Sequence, residues 1–482
     1  MEETRHVRKR DIYKRIITFS EGVLLLAVEV YLFARMWYNE YADYIQIPFF
    51  RRGNWAVIGM YAVIIYLFTK LYGGYRVGFL RVMDVLFSQI LSLICANIVG
   101  YVELCIICRD YIKPLNMLKL TGLEIIVIVA WVFICRFMYR KFYPPRHLLL
   151  VYGYKTPTEF IDKINARKDK YIISDRIHVS EGEKALKEKI LHYDGVILCE
   201  TKAYIRNELV KYCFEHSIRS YVVPKLSDII ILGAEPIHLF DTPLLLSRNQ
   251  GLTGEDMIFK RLMDIIVSLI MIIIFSPFML IIAAAIKLYD RGPVFYKQDR
   301  LTLNGRVFKI MKFRSMRMDS EVHGAQLARK HDDRITPVGR VIRATHLDEL
   351  PQLFNILKGD MSVVGPRPER PEIAAQYREN FPEFDYRLKM KAGLTGYAQI
   401  YGKYNTTPRD KVKLDLTYYE QYSVWLDLKL ILLTFKILFQ KENTEGIDAN
   451  QTTAIREDRK TGIKHPQDEA EDAFYNVEEH GK

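Results

Sequence analysis

Two adjacent acids, Asp348 and Glu349, stand just ahead of the apolar run LPQLFNIL, with Pro351 where a first helical turn accepts it. This spacing predicts that the pair sits near a helix N-terminus. Acids there offset the helix dipole and cap free N–H groups on any helix, which is the plain structural account. The basic residues around them point further. Arg340 and Arg343 precede the pair, and Arg367 and Arg370 follow it in GPRPERPE. A guanidinium is a planar, permanently charged fork that matches phosphate oxygens, and a helix N-terminus favours anions. Carboxylate and phosphate repel, so a diphosphate approaching these acids needs such partners. Mg2+, held by one carboxylate of the pair Asp348 and Glu349 and by phosphate oxygens, would add to the neutralisation. Neighbouring helical side chains point about 100° apart, so the two acids are expected to have different tasks. Gly365-Pro366-Arg367-Pro368 is stiff and would hold its arginine against a phosphate at low entropic cost. For the arginines the competing account is a solvated or membrane-facing charge.

The elements that must position these residues follow from where the apolar residues fall. Half of the 482 residues are apolar, and they come in blocks. Four blocks, about 16–37, 55–72, 79–107 and 118–139, fill the region 1–145. Each approaches or exceeds the ~20 residues that cross ~30 Å of hydrocarbon as a helix. Arg5, Arg8, Lys9, Arg10, Lys14 and Arg15 precede the first block, and Arg136, Arg140, Lys141 and Arg146 follow the fourth. The positive-inside rule therefore predicts a four-helix transmembrane bundle with both ends in the cytoplasm. The net charge of +12 suits an anionic bilayer or anionic substrates. Its basic residues lie beside hydrophobic blocks and no nucleic-acid motif occurs, so nucleic acid is not an expected partner. The six cysteines form no paired metal-ligand pattern; Cys105 and Cys108 make a CxxC without a second pair, and the soluble parts are read as reduced and cytosolic. The first block lacks a small-residue cleavage site, so no cleavable signal peptide is expected.

Residues 146–250 change pattern. HLLLVYG, YIISDRIHV, DGVILC and RSYVVP alternate with segments of helical period, which predicts βαβ units and a Rossmann-like parallel sheet. Gly153 opens GYKTPT, which lacks the second and third glycines of a dinucleotide turn, so a structural or regulatory module is the expected role. Region 257–440 holds the acids and arginines. Its first part, 260–288, contains an apolar run, 265–286, with Ser276-Pro277 at the middle, and basic residues lie on both flanks of that run: Lys260 and Arg261, then Lys287, Arg291, Lys297 and Arg300. Proline breaks or kinks a helix. The expectation is a re-entrant hairpin broken at Ser276 and Pro277, against the alternative of a kinked fifth crossing. Asp264 is expected at the interface, because intramembrane charge is costly. The segment 425–439 is too short to span and reads as interfacial; Tyr418, Tyr419 and Tyr422 fit either that boundary or a core. The tail 441–482 is polar, acidic and expected to be disordered.

Three stretches, GPVFYKQDRLTLNGRVFKIMKFRSM, THLDELPQLFNILKGDMSVVGPRPERPE and KAGLTGYAQIYG, resemble the bacterial sugar transferase family, the monotopic polyprenyl-phosphate phosphoglycosyl transferases. The preceding helices and βαβ region resemble its long form. The resemblance implies an α+β catalytic domain seated on the inner leaflet of the bacterial cytoplasmic membrane. It also implies an enzyme that moves a sugar 1-phosphate from a UDP-sugar, glucose or galactose favoured, to undecaprenyl phosphate, starting an exopolysaccharide, capsule or O-antigen unit. By the same resemblance Asp348 is the nucleophile, Glu349 binds metal or orients the acceptor, and Arg343 and Arg367 hold phosphate or nucleotide. Arg370, Lys312 and Arg314 are further family positions near that site, and Gln298-Asp299-Arg300 brace the fold or interface. Gly393-Leu394-Thr395-Gly396 and Gln399 suit a tight turn or close backbone approach. Inner-leaflet lipids are implied partners, and a homodimer is left open. The rival readings are a catalytically silent scaffold of polysaccharide assembly, and a transporter or channel that uses the hydrophobic blocks alone.

Overall fold

The computed structural model describes residues 2–45, 52–153, 157–165, 167–247, 251–317, 334–402 and 406–438. The tail 441–482, expected to be disordered, lies outside the described residues. The chain divides into two compact units, Met1–Ser247 with Leu432–Lys436, and Arg248–Ile431 with Ile437–Lys482.

In the first unit, helices α1 (Glu2–Met36), α2 (Gly53–Tyr72), α3 (Val82–Cys108) and α4 (Leu115–Phe142) follow the four apolar blocks. Each packs on the next, and α4 closes the ring on α1. Leu25, Phe33, Tyr61, Ile65, Leu93, Leu104 and Ile128 fill the centre. The outer surface is apolar as well: Phe19, Ile106, Ile126 and Phe137 are exposed. Helices that are hydrophobic all round belong in lipid, and all four are long enough to cross it.

Next come strand β1 (Arg146–Tyr152), α5 (Thr158–Asn165), β2 (Tyr171–His178), α6 (Glu183–Ile190), β3 (Gly195–Cys199), α7 (Ala203–Glu215) and β4 (Arg219–Val222). They build a parallel sheet of order β2-β1-β3-β4, as the alternating pattern predicts. The side chains on β1 alternate between two cores, Leu149 and Val151 on one face and Leu148 and Leu150 on the other. Gly153 is explained by packing: a Cβ there would stand 2.5 Å from the Glu200 carbonyl oxygen. The short helix α8 (Leu226–Leu232) and an antiparallel hairpin of β5 (Glu235–Leu239) and β6 (Thr242–Leu246) end this unit.

The second unit opens with α9 (Gly254–Asp290), followed by an antiparallel pair, β7 (Phe295–Leu301) and β8 (Val307–Phe313). Then come α10 (Pro337–Ala344), α11 (Gln352–Lys358), β9 (Ser362–Val364), α12 (Pro371–Asn380), β10 (Gly393–Thr395), α13 (Tyr397–Tyr401), α14 (Pro408–Glu420) and α15 (Val424–Leu438). Strands β9 and β10 pair in parallel.

At Ser276 and Pro277, where the sequence places the break of the hairpin, α9 is helical on both sides of Pro277, with no loop between. Proline removes the N–H that would bond the Ile273 carbonyl four residues back. Ser276 Oγ donates to that same oxygen at 3.0 Å, which lets the helix continue. Asp264 is corrected. It is buried, not interfacial, and accepts from Ser362 Oγ (2.9 Å) and the Val363 N–H (2.8 Å). One turn earlier, buried Lys260 reaches Asp427 (2.7 Å), Tyr418 Oη (3.0 Å) and the Val364 carbonyl (2.9 Å). Tyr418 is therefore a core residue; Tyr419 and Tyr422 pack on the same core.

Two clamps fix α11, the helix after the acids. At its C-terminal end Arg261 donates to the carbonyls of Ile356 (2.7 Å) and Leu357 (2.6 Å), in the last turn, where carbonyls lack the usual helical partner four residues on. Gly359 then turns the chain at φ +96°, a left-handed conformation that favours glycine. On its flank, Asn355 Nδ2 donates to the Lys309 carbonyl while its Oδ1 accepts from the Met311 N–H, both at 2.9 Å. The side-chain amide thus locks the helix to β8. Replacing it with Leu strands both backbone groups, and a buried unpaired group costs about 1–3 kcal/mol. Asn355→Leu is expected to lower the thermal midpoint of the solubilised protein clearly; an unchanged midpoint would show that the clamp carries no stability.

Candidate active site

The acids lie on a single 3-10 turn, Leu347–Glu349, between α10 and α11. Pro351 caps α11, so the pair sits about a turn ahead of the helix predicted to carry it. His346 enters this turn at φ 56°, the left-handed region, which costs a non-glycine residue about 1–2 kcal/mol. Such strain persists where the surrounding structure over-determines it. Here the turn directs Asp348 inward to 9% exposure, while Glu349 keeps 16% of its side chain accessible.

Two cations converge on Glu349 Oε1: Lys312 Nζ at 2.6 Å and Arg367 Nη2 at 3.3 Å. Lys312 comes from β8, one residue beyond the strand edge clamped by Asn355. Burial alone would raise the Glu349 carboxyl, but Lys312 and Arg367 outweigh it and hold the group below the usual carboxylate range. Asp348 shifts the other way. Burial raises its carboxyl, the Glu349 charge adds to the rise, and Lys312, Arg343 and His346 oppose it. Among the described residues no group donates a hydrogen bond to the Asp348 side chain. The site therefore holds one carboxylate firmly ionised and paired, and a second that is buried, uncommitted and more basic.

The structure sorts the sequence candidates. Arg343, in the last turn of α10, acts on Asp348, and Arg367 and Lys312 act on both acids. Arg314 is corrected: its guanidinium pairs with Asp290 and packs against Gly292, so it fastens the end of α9 and does not join the acids. Arg370 stands at the start of α12, where its charge acts on Arg300. Arg300 braces the arginine loop, donating to the Pro368 carbonyl (3.0 Å) and to Gln298 Oε1 (2.8 Å). The glycine motif is structural. A Cβ on Gly393 would lie 2.1 Å from the Gly365 nitrogen, and one on Gly396 2.1 Å from the Gly365 oxygen, so these residues let β10 approach the arginine loop.

Sequence reasoning missed three contributors. His346 lay inside a quoted motif without a role, and Asn355 was counted in an apolar run. A lone amide among leucines was the available signal. The third is Arg387, buried, which donates to the Arg367 carbonyl (2.9 Å) and pairs with buried Asp415 (3.0 Å). Burial pushes the Asp415 carboxyl up to about 6 against the pull of Arg387 and Lys411. Nothing in the local sequence connects residues 387 and 415 with 367.

The model of the bacterial sugar transferase family matches residues 255–441. A Klebsiella pneumoniae protein named UDP-glucose:undecaprenyl-phosphate glucose-1-phosphate transferase is 44% identical over 209 residues, 42% of this chain and 43% of its own length. An Aeromonas hydrophila UDP-N-acetylgalactosamine-undecaprenyl-phosphate N-acetylgalactosaminephosphotransferase is 44% identical over 182 residues, 37% of this chain and 43% of its own. The match thus spans less than half the length of either relative. A Caulobacter vibrioides UDP-glucose:undecaprenyl-phosphate glucose-1-phosphate transferase is 39% identical over 189 residues, 38% of this chain and 71% of its own length. With the family model matched and 71% of the Caulobacter relative covered, the chain is a member of the bacterial sugar transferase family.

Proposed function

We propose that the chain transfers a sugar 1-phosphate from a UDP-sugar to undecaprenyl phosphate, with Asp348 as the nucleophile. The observation that carries this reading is the division between the two acids: Glu349 is held ionised by Lys312 and Arg367, while Asp348 is buried beside them with no hydrogen bond to give up. An Asp348 oxygen attacks the phosphorus that bears the sugar. The bond from that phosphorus to the bridging oxygen breaks, and UMP leaves with the electron pair. An oxygen of undecaprenyl phosphate then attacks the same phosphorus, the bond to Asp348 breaks, and polyprenyl-diphosphate-sugar is released. Splitting the transfer means that no step brings the two phosphate substrates together. Arg367, Arg343 and Lys312 reduce the repulsion between the carboxylate and the arriving diphosphate. The donor is a UDP-sugar carrying glucose or galactose; the Klebsiella relative is named for glucose and the Aeromonas relative for N-acetylgalactosamine.

The donor set suits Mg2+. Asp348 and Glu349 supply hard carboxylate oxygens, and among the described residues no group of three or more metal-ligating side chains occurs. That is the pattern of an ion held by one or two carboxylates plus substrate phosphates. When bound, it supplies further neutralisation of the diphosphate.

The membrane reading extends to α9. It packs on the second unit along its length, through Arg261, Asp264, Val267 and Met271 before Pro277, and through Met279, Ile282 and Ile286 after it. Its opposite face, with Ile266, Ile270, Ile273, Phe278 and Ile281, is exposed and apolar. A helix lined by its own catalytic domain on one side supports insertion into a single leaflet, with region 257–440 on the cytoplasmic face of the inner membrane.

Asp348→Asn tests the mechanism: trapping with donor labelled in its sugar phosphate should leave label on the wild type and none on the variant, and UMP release should fall by at least about 10³-fold, as for loss of a nucleophile. Label retained on the variant overturns the assignment. The same variant should be more thermostable. A carboxyl whose folded pKa is raised contributes its stability below the unfolded pKa and loses it as pH rises through the folded one. Asn keeps the neutral form at every pH, so the variant's melting midpoint should exceed that of the wild type at neutral pH, with the gap closing on acidification.

The raised Asp348 carboxyl also places the acid limb of the first step above the usual carboxylate range, because only the ionised form attacks. Lys312 is the largest influence opposing that rise. In single-turnover capture, Lys312→Gln should move the limb to higher pH; a limb that stays put, or moves down, contradicts the electrostatic account.

A further inference from the structure

The four-helix bundle holds a polar site that the transfer chemistry does not use. Glu124 on α4 is fully buried; Tyr61 Oη lies 3.0 Å from its Oε1, and Asn97 Nδ2 lies 2.9 Å from its Oε2. Tyr61 Oη also lies 2.8 Å from Asn97 Oδ1. One phenolic proton cannot serve two acceptors. The network closes when Glu124 carries a proton, donates it to Tyr61, and Tyr61 donates in turn to Asn97. Asn97 uses its second amide proton on Thr121 Oγ1 at 2.9 Å. Glu124 is then neutral and satisfied.

Glu29 on α1 is different. It is 1% exposed, and among the described residues neither of its oxygens has a partner. Its charge acts on Glu124, Tyr61 and Tyr75, and no basic side chain is among the groups that act on either acid. An orphaned carboxylate between apolar helices is strongly disfavoured. Protonation would remove the charge but still leave an O–H donor and a carbonyl without partners. A bound cation would use both oxygens, and with Glu124 neutral a single positive charge suffices.

We propose that Glu29 is the ligand of a monovalent-cation site inside the bundle, of the Na+ class. The site is separate from Asp348 in sequence and in chemistry, and the proposal does not rest on the transferase reading.

The test uses the full chain in nanodiscs, with NaCl exchanged for choline chloride at constant ionic strength. Dicyclohexylcarbodiimide modifies protonated carboxyls in apolar surroundings, and adducts are located by mass spectrometry. Na+ is expected to slow modification of Glu29, about tenfold at ten times its Kd. It should also raise the melting midpoint of the wild type but not of Glu29→Gln. Equal labelling of Glu29 in Na+ and choline would mean a protonated acid alone and overturn the proposal. So would an absence of labelling together with no effect of Na+ on the midpoint, or a Na+ effect that persists in Glu29→Gln. The labelling arms need no variant, so a failure of Glu29→Gln to fold leaves the test standing. UMP release measured on the same preparations reports separately on the proposed transfer.

Discussion

Adjacent carboxylates with little access to water cannot both stay ionised unless cations stand beside them. Much of the second unit can be understood as meeting that condition at Asp348 and Glu349. The cations must be placed to a fraction of an ångström, and neither is held by its own element alone. Lys312 comes from the two-stranded β7–β8 pair, and two strands are marginal without support. Asn355 supplies that support by treating the strand edge as a partner. Arg367 comes from a loop, and its backbone is held by buried Arg387, itself paired with Asp415 on α14. Breaking a buried pair by removing one member costs about 3–5 kcal/mol, so the support is rigid. The two acids end up unequal because both cations reach Glu349 and neither bonds Asp348.

The same constraint explains which sequence inferences survived. The apolar blocks, the parallel sheet and the acid pair were legible because each rests on local pattern: hydrophobic runs, strand–helix alternation, and carboxylates just ahead of a proline-capped helix. The arginines were legible as a class but not one by one. Arg343 and Arg367 reach the acids, whereas Arg314, only two residues beyond Lys312, turns to Asp290. Composition cannot separate these cases, because strand end and loop geometry decide where a long side chain goes. Asp264 was misplaced for a related reason. A charge within an apolar run is costly in lipid, and the sequence gives no sign that Ser362 and the Val363 amide stand ready to receive it. Its partners are about a hundred residues away. Arg387 and Asp415 were missed on the same ground.

Helix α9 is tied to the scaffold of the acid pair through polar contacts, which is unusual for so apolar a segment. Lys260, Arg261 and Asp264 all point into the domain, where they meet Asp427, the end of α11 and β9. Arg261 in particular caps the helix that follows the acids. A displacement of α9 along its axis would therefore be felt at Asp348 within the length of α11, seven residues or ~10 Å at 1.5 Å per residue. Under the proposed transfer, this coupling gives a physical reason to place a nucleophile there. In that reaction the acceptor's hydrocarbon tail stays in the lipid while its phosphate must reach a water-soluble donor. Such a site would have to sit at a fixed height relative to the headgroups, and a helix bonded to the site's own scaffold, with its apolar face in lipid, would fix that height. Helix α9 continues through Pro277, with Ser276 satisfying the freed carbonyl, so both of its limbs belong to one element of the site's scaffold.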